Sequence, residues 1–380
     1  MFKARVFFTK LLHIVYKFLN IVNICIFNII IQFNKNKIMG QNKIEGWDYM
    51  EEKNISCDLA VEAREMVTDV QGEDYVIPGV SCETEDVHQY IHITRVKIHS
   101  EKGEKELGKE KGNYITIEMP ARFYGQQNIY EEMCKVCARE LSAITEKFLE
   151  GENDSVLIIG LGNWNITADA LGPKVLDSLM ITRHLKEYMP EEIDEGIRPV
   201  CGITPGVLGL TGVETGEIVR GLADRIKPKL IIAIDALCSR KVERINTTIQ
   251  ISDTGITPGA GVGNKRQALN KSTLGVPVIA IGVPTVVDAA TIAGDSINWV
   301  IKRLGDQLET DKPIYKFLKE LEGEDKYMLI KESISPAFGN FIVAPKEVDS
   351  IIDDISKVIA NGINIALHKG IGLSDIDRYK

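Results

Sequence analysis

The sequence predicts an α/β fold built on a doubly wound, mostly parallel sheet. Three continuous apolar runs of strand length carry this prediction, because strands that are buried on both faces lose the alternation of polar and apolar residues. Stretches with the apolar spacing of amphipathic helices separate the runs, as expected when helical crossovers join parallel strands. The runs lie at Ser155–Gly160, Lys229–Ile234 and Pro277–Gly282.

The composition of the 380-residue chain is that of a globular protein, with 44% hydrophobic and 26% charged residues. It excludes an intrinsically disordered chain, a collagen and a small disulfide scaffold. The net charge of −9 argues against direct binding to nucleic acid. Seven scattered cysteines indicate a reducing compartment and hence a cytoplasmic location. Cys134 and Cys137 form a CxxC without a second pair, so we expect structural thiols and no metal site.

Residues 1–38 differ from the rest of the chain, because they carry six basic side chains and no acidic one. Leu11–Phe33 is apolar, but Lys17 interrupts it, and a central lysine costs about 3 kcal/mol on membrane insertion. Three interpretations stay open. The extension is translated upstream sequence with Met39 as the true start, or a weak membrane anchor, or an ordinary helix. We leave it out of the fold prediction.

The segment before the first apolar run predicts an addition to the sheet. Residues 79–118 alternate polar and apolar side chains, which favours a β-hairpin with a charged turn near Glu101–Gly112. Asp58–Met66 reads as a short helix or an extended arm, and Tyr130–Leu149 has helical spacing.

Helical spacing returns between and after the apolar runs, at Leu171–Leu185 and Asp288–Val300. Residues 304–330 are polar and charged, as expected of a surface insertion, and Asp349–His368 is an amphipathic closing helix. We therefore expect one α/β domain over residues 59–380.

Acidic residues follow each of the three predicted strands: Asp169, Asp235 and Asp288. Ligands of open parallel sheets bind beyond the carboxyl ends of the strands, so these side chains are candidates for chemistry. Two carboxyls in one cleft can hydrolyse an amide if one is ionised to activate water and the other keeps a proton for the leaving nitrogen. Structural roles stay open. Asp169 and Asp288 can cap the helices that follow them, and Asp235 can pair with Arg240.

Two glycine-rich segments are candidates for cofactor binding. Gly160-Leu-Gly-Asn163 lacks the third glycine of a dinucleotide fingerprint. Gly255–Arg266 carries two cations but not the spacing of a P-loop, so it either cradles a phosphate or lets a substrate backbone approach closely. Neither segment predicts a bound cofactor, and no histidine pair predicts a metal.

Four long segments of the chain carry particular motifs: 160–173, 203–218, 232–266 and 274–293. They resemble the spore germination protease family of endospore-forming bacteria, and the resemblance covers roughly residues 45–370. It implies an endopeptidase that begins the degradation of small acid-soluble, DNA-protecting spore proteins in the spore core. It also implies a fold similar to that of the hydrogenase-maturation endopeptidases. The family's two proposed catalytic aspartates fall on Asp169 and Asp235.

The resemblance further implies a zymogen that loses an N-terminal propeptide and assembles as a homotetramer. Family cleavage sites have an acid followed by Ile, Phe or Leu and then Ala, which matches Asp58-Leu59-Ala60. We therefore predict a propeptide at 39–58 that is cut between Asp58 and Leu59. Cys57 stands where the family usually has Thr. The alternative is that Asp58 caps a helix.

Other functions stay open at this stage. A metal-dependent endopeptidase of the maturation type would use Asp169 and Asp235 as ligands. A nucleotide- or phosphate-binding α/β protein would use the loop at 255–266. The expected partners are the spore proteins as substrate and three further copies of the chain, without direct contact to nucleic acid. A membrane is expected only if the N-terminal extension is real.

Overall fold

The computed structural model describes residues 58–72, 75–119, 126–262, 266–305, 330 and 341–376. All of them belong to a single unit, Ile55–Lys380. The extension at 1–38, the propeptide up to residue 57 and most of the insertion at 304–330 lie outside the described residues.

Within the described residues, nine strands form one mixed sheet. In chain order they are β1 (Val80–His88), β2 (Ile91–Ile98), β3 (Gly112–Glu118), β4 (Val156–Gly160), β5 (Val200–Ile203), β6 (Leu230–Ser239), β7 (Thr248–Ser252), β8 (Val278–Asp288) and β9 (Ile342–Val343). Their order is β1-β2-β3-β7-β8-β6-β4-β5, and β9 pairs with β8. The pairs β8–β6, β6–β4 and β4–β5 are parallel. The pairs β1–β2, β2–β3, β3–β7 and β7–β8 are antiparallel.

Helices cover both faces of the parallel part, as the prediction requires. They are α1 (Ala60–Gln71), α2 (Glu101–Leu107), α3 (Gln127–Thr145), α4 (Leu171–Asp177), α5 (Arg183–Tyr188), α6 (Leu208–Thr211), α7 (Thr215–Ile226), α8 (Lys271–Leu274), α9 (Ala289–Gly305) and α10 (Val348–Leu367). None of the helices in the described part of the chain has the length and hydropathy that crossing a membrane requires.

Successive residues of the central strands enter two different cores. Ile158 of β4 packs with α3, α4 and α10 on one face, whereas its neighbours Leu157 and Ile159 pack with α7 on the other. Because alternate side chains point to opposite faces, a strand buried on both sides needs apolar residues at every position. This explains the continuous runs and confirms the predicted fold class.

The antiparallel addition is larger than the predicted hairpin, since β1, β2 and β3 form three adjacent strands. The expected charged turn near Glu101–Gly112 is wrong, because α2 occupies it. Ser100 caps α2 by accepting a hydrogen bond from the Gly103 N–H, and Gly108 ends it in the left-handed conformation. The predicted helix Leu171–Leu185 is also wrong as one element, because it is divided into α4 and α5.

The strands β6 and β8 continue beyond the predicted ends, and this changes the position of Asp235. Cα pairing continues through Asp235 to Ser239 on β6, opposite Gly282 to Val287 on β8. Asp235 therefore lies within a strand and not after it. Asp288 ends β8, and its carboxyl accepts a hydrogen bond from the Ala290 N–H at 2.8 Å, so it caps α9 as expected.

Candidate active site

A cleft of about 310 Å³ opens on the sheet face that α7 also covers. Its floor is formed by β7, β8 and β6, where Gln250, Gly282 and Asp235 lie at one level of the sheet. All three line the cleft, and so does Ala280. Ala280 and Gly282 present almost no side chain, and the Leu237 side chain lies over Gly282, where an added Cβ would be 2.4 Å from its Cδ1.

Asp235 is buried in this floor. Its Oδ1 accepts a hydrogen bond from the Ala236 N–H at 2.9 Å. Burial raises the pKa of Asp235 well above its usual value, and the charges of Asp169 and Asp58 raise it further. Arg240 does not partner it, since that guanidinium pairs with Asp295 at 3.3 Å. The carboxyl is therefore held in conditions that favour its protonated form.

Asp169 lies in a short 3-10 turn, Thr167–Asp169, after β4. The Thr285 hydroxyl of β8 donates to the Ala168 carbonyl at 2.6 Å and ties this turn to the sheet. Burial raises the pKa of Asp169 to about 6. The Asp169 side chain does not cap α4. The N-cap residue of this helix is Ala170, and no side-chain hydrogen bond caps its N-terminus.

Asp58 of the predicted cleavage site lines the same cleft, and Leu59 is buried next to it. The Asp58 carboxyl accepts a hydrogen bond from the Cys238 N–H at 2.8 Å, and the Asp58 N–H donates to the Cys238 carbonyl at 3.3 Å. Leu59 is fully buried and packs with Leu237. Asp58 does not cap α1, whose N-cap is Leu59. Burial raises the pKa of Asp58, while the Lys109 charge lowers it.

Two side chains that the sequence analysis did not predict for the site donate hydrogen bonds to the carbonyl of the peptide bond between Asp58 and Leu59. The Asp58 carbonyl accepts from Lys109 Nζ at 3.1 Å and from Gln250 Nε2 at 3.3 Å. Gln250 Oε1 in turn accepts from the Ala60 N–H at 2.7 Å. Lys109 follows α2 and Gln250 lies on β7, so only the tertiary fold brings them together.

The glycine-rich loop covers the Asp58 carboxyl. A Cβ on Gly261 would lie 1.9 Å from Asp58 Oδ2, which is closer than any real contact. Arg266 at the end of the loop pairs with Glu214 at 3.6 Å. The described part of the loop thus lies against the Asp58 carboxyl, and the two interpretations of the loop stay predictions.

Helix α1, which follows the cleavage site, is fastened by a charged network. Glu62, almost fully buried, accepts hydrogen bonds from the N–H groups of Arg240 and Lys241 at 2.7 and 2.9 Å. Arg244 binds both oxygens of Glu65 at 2.7 Å. Buried charges are tolerated when they are paired in this way, so the chain after Leu59 is anchored independently of the cleft.

The two thiols of the CxxC motif, which the sequence predicts to be structural, lie within α3. Cys134 and Cys137 are buried free thiols on α3, and burial raises the pKa of Cys134 to about 12. Among the described residues, no group of three or more His, Cys, Asp or Glu side chains is arranged to hold a metal ion.

Comparison with known proteins identifies the family. The model of the family described as germination protease matches residues 60–319 and 311–380. The chain belongs to the germination protease family. The germination protease of Clostridium acetobutylicum is 52% identical over 329 residues, which cover 86% of this chain and 99% of that protein. The one from Clostridium tetani is 51% identical with the same coverages. The one from Bacillus cereus is 42% identical and covers 86% and 97%.

Among solved structures, a [NiFe] hydrogenase maturation protease, HycI from Thermococcus kodakarensis KOD1, is similar at 23% identity. The match has a TM-score of 0.24 and covers 37% of this chain and 80% of that chain. Membership of the germination protease family confirms the resemblance drawn from the sequence motifs and makes the protein a protease.

Proposed function

We propose that the protein is an aspartate-dependent endopeptidase, made as a zymogen, that cleaves itself between Asp58 and Leu59. One observation carries the proposal: the Asp58–Leu59 bond lies in the same cleft as Asp235, whose carboxyl interacts electrostatically with Asp169 and Asp58. Two coupled carboxyls are the groups that water-driven amide hydrolysis needs.

The environments of the two aspartates support a division of labour. The pKa of Asp235 is raised more strongly than that of Asp169, which is raised to about 6. At neutral pH, Asp235 keeps its proton and donates it to the leaving nitrogen. Asp169 is largely ionised and takes a proton from the attacking water. The carboxyl of the residue before the cut raises the pKa of Asp235 further, which favours substrates with an acidic residue at that position.

The proposed substrates are the small acid-soluble spore proteins, cut after an acidic residue in the spore core by a homotetramer. This part of the proposal rests on the family and on the acidic residue seated in the cleft. The family to which the chain belongs is described as germination protease.

The test follows self-processing of the full chain. The parent, Asp169→Asn and Asp235→Asn are incubated at mildly acidic pH, and the new N-terminus is read by mass spectrometry. Asp224→Asn, at an exposed position of α7, is the matched control. We expect a chain beginning at Leu59 from the parent and the control only. Equal cleavage of all four proteins would remove both aspartates from the mechanism.

The runner-up is a metal-dependent endopeptidase that uses the same carboxyls as ligands. The electrostatic interaction of Asp235 with Asp169 and Asp58 is the observation that favours it, although the described residues contain no group of three carboxyl, thiol or imidazole side chains arranged around a metal ion. Processing in the presence of a chelator separates the two mechanisms. The aspartate mechanism predicts an unchanged rate, whereas a metal mechanism predicts loss that added zinc or another divalent ion restores.

A further inference from the structure

We propose that Lys109 and Gln250 form the oxyanion hole of this protease, because both donate to the carbonyl oxygen of the bond to be cut. The inference rests on the proposed self-cleavage between Asp58 and Leu59. It adds two catalytic residues to the two aspartates and gives each a defined role.

The contact geometry is that of a site built for one carbonyl group. Asp58 O accepts from an ammonium at 3.1 Å and from a side-chain amide at 3.3 Å. The two donors come from different parts of the fold, the loop after α2 and the strand β7. They approach a carbonyl that has no backbone donor among its described hydrogen bonds.

Gln250 also sets the orientation of the peptide. Its Oε1 accepts from the Ala60 N–H at 2.7 Å, so its Nε2 must point toward Asp58 O. On the other side of Gly282, Asp235 lies two strand spacings away, about 10 Å between Cα atoms. Asp235 lines the same cleft as Lys109, Gln250 and Asp58, so the candidate acid and the two donors face one site.

The chemistry needs donors at this place. Water attacks the carbonyl carbon and gives a proton to the ionised aspartate, and the electron pair of the C=O bond moves onto oxygen. The ammonium of Lys109 and the amide of Gln250 stabilise that negative charge. The C–N bond then breaks as the Leu59 nitrogen takes the proton of the second aspartate, which leaves a carboxyl on Asp58 and an amine on Leu59. Because charge on oxygen develops only during the reaction, both donors lower the barrier more than they tighten binding.

The experiment measures the first-order rate of self-processing of the full chain for Lys109→Met and Lys109→Arg. Lys105→Met, at an exposed position of α2, is the matched control. Hydrogen exchange at the Leu59 and Ala60 amides reports whether the segment remains seated in the cleft. We expect Lys109→Met to process about 10²-fold to 10³-fold more slowly with unchanged protection, and Lys109→Arg to recover most of the rate. Gln250→Met should slow processing and also reduce protection at Ala60, since Gln250 holds that amide.

Two results would overturn the oxyanion role while leaving the aspartates in place. One is processing of Lys109→Met at the parental rate beside an inactive Asp235→Asn. The other is a loss of rate in Lys109→Met that is matched by a loss of hydrogen-exchange protection at the Leu59 and Ala60 amides. That result would mean that Lys109 only holds the segment in the cleft. If Asp169→Asn and Asp235→Asn process normally and Lys109→Met is slow, the aspartate pair fails and the oxyanion hole stands. If the parent yields no chain beginning at Leu59, both proposals fail.

Discussion

Gly261→Ala tests directly whether the seat of Asp58 is the place where cleavage occurs. The added Cβ would lie 1.9 Å from Asp58 Oδ2 and 2.5 Å from its Cγ, so the carboxyl must leave the Cys238 N–H. Gly261 is not among the residues with positive φ, so the backbone tolerates alanine and the effect is confined to the clash. A hydrogen bond to a charged group contributes about 1.5–3 kcal/mol. Since about 1.4 kcal/mol is tenfold in rate, we expect processing to slow roughly 10-fold to 150-fold.

The assay is a time course of the chain beginning at Leu59, read by mass spectrometry, beside a urea titration of the unprocessed protein. Gly221→Ala is the matched control, because a Cβ there meets nothing within 4 Å. That residue is inside α7, so the control should process at the parental rate and be about 0.5–1 kcal/mol more stable. Parental processing by Gly261→Ala would refute the assignment of this seat.

Three further predictions concern stability. The pKa of Asp169 is raised to about 6 in the folded protein. Its titration therefore leaves the free energy of unfolding unchanged below about pH 4 and has lowered it once the pH has risen through 6. Asp169→Asn should therefore raise the free energy of unfolding at pH 7.5 by about 1–2 kcal/mol after allowance for solvent, and leave it unchanged at pH 4, as urea titrations at the two pH values would measure. Arg244→Met should cost about 3–5 kcal/mol because it removes the buried guanidinium that pairs with Glu65 and Glu118, whereas Arg183→Met, which breaks an exposed pair, should cost less than about 1 kcal/mol. Gly362→Ala should lower stability by about 1–3 kcal/mol, because its Cβ would lie 2.7 Å from the Cys137 sulfur. Cys137→Ala in the same chain removes the sulfur and should reduce the loss of unfolding free energy caused by Gly362→Ala, as a double-mutant cycle would measure.

The central sheet was predictable because burial on both faces leaves a direct mark on the sequence. Ile158 and its neighbours must all be apolar, since alternate residues enter different cores. The ends of β6 and β8 were not predictable from the same signal. On β6 the apolar run is interrupted by the single polar residue Asp235 although the pairing continues to Ser239, and on β8 the pairing continues past Gly282 through Pro284, which in the sequence indicates a strand end. An apolar run reports burial on both faces and not the extent of a strand.

The aspartates of the candidate site were accessible to sequence reasoning, whereas their partners were not. Asp169 and Asp235 follow buried runs, and that position alone marked them. Lys109 lies in a charged segment and Gln250 in a strand of alternating character, and neither has a motif. Their place depends on the antiparallel pairing of β3 with β7 and of β7 with β8, which joins distant parts of the chain. Polar residues that act through tertiary placement leave no local pattern.

The two sides of the proposed cut are held in very different ways, and this asymmetry suits a self-cleaving chain. Beyond Leu59, the buried Glu62 and the Arg244 network fasten α1 to the body of the protein. Asp58 is held by the Cys238 backbone, Lys109 and Gln250, all within the cleft itself. Once the bond breaks, the new carboxyl group adds a negative charge beside the Asp58 side chain and Asp235, and like charges in a buried cleft repel. From the proposed cleavage we therefore expect the acidic side to leave while the Leu59 side stays anchored, so that the same seat becomes free for the next acidic residue.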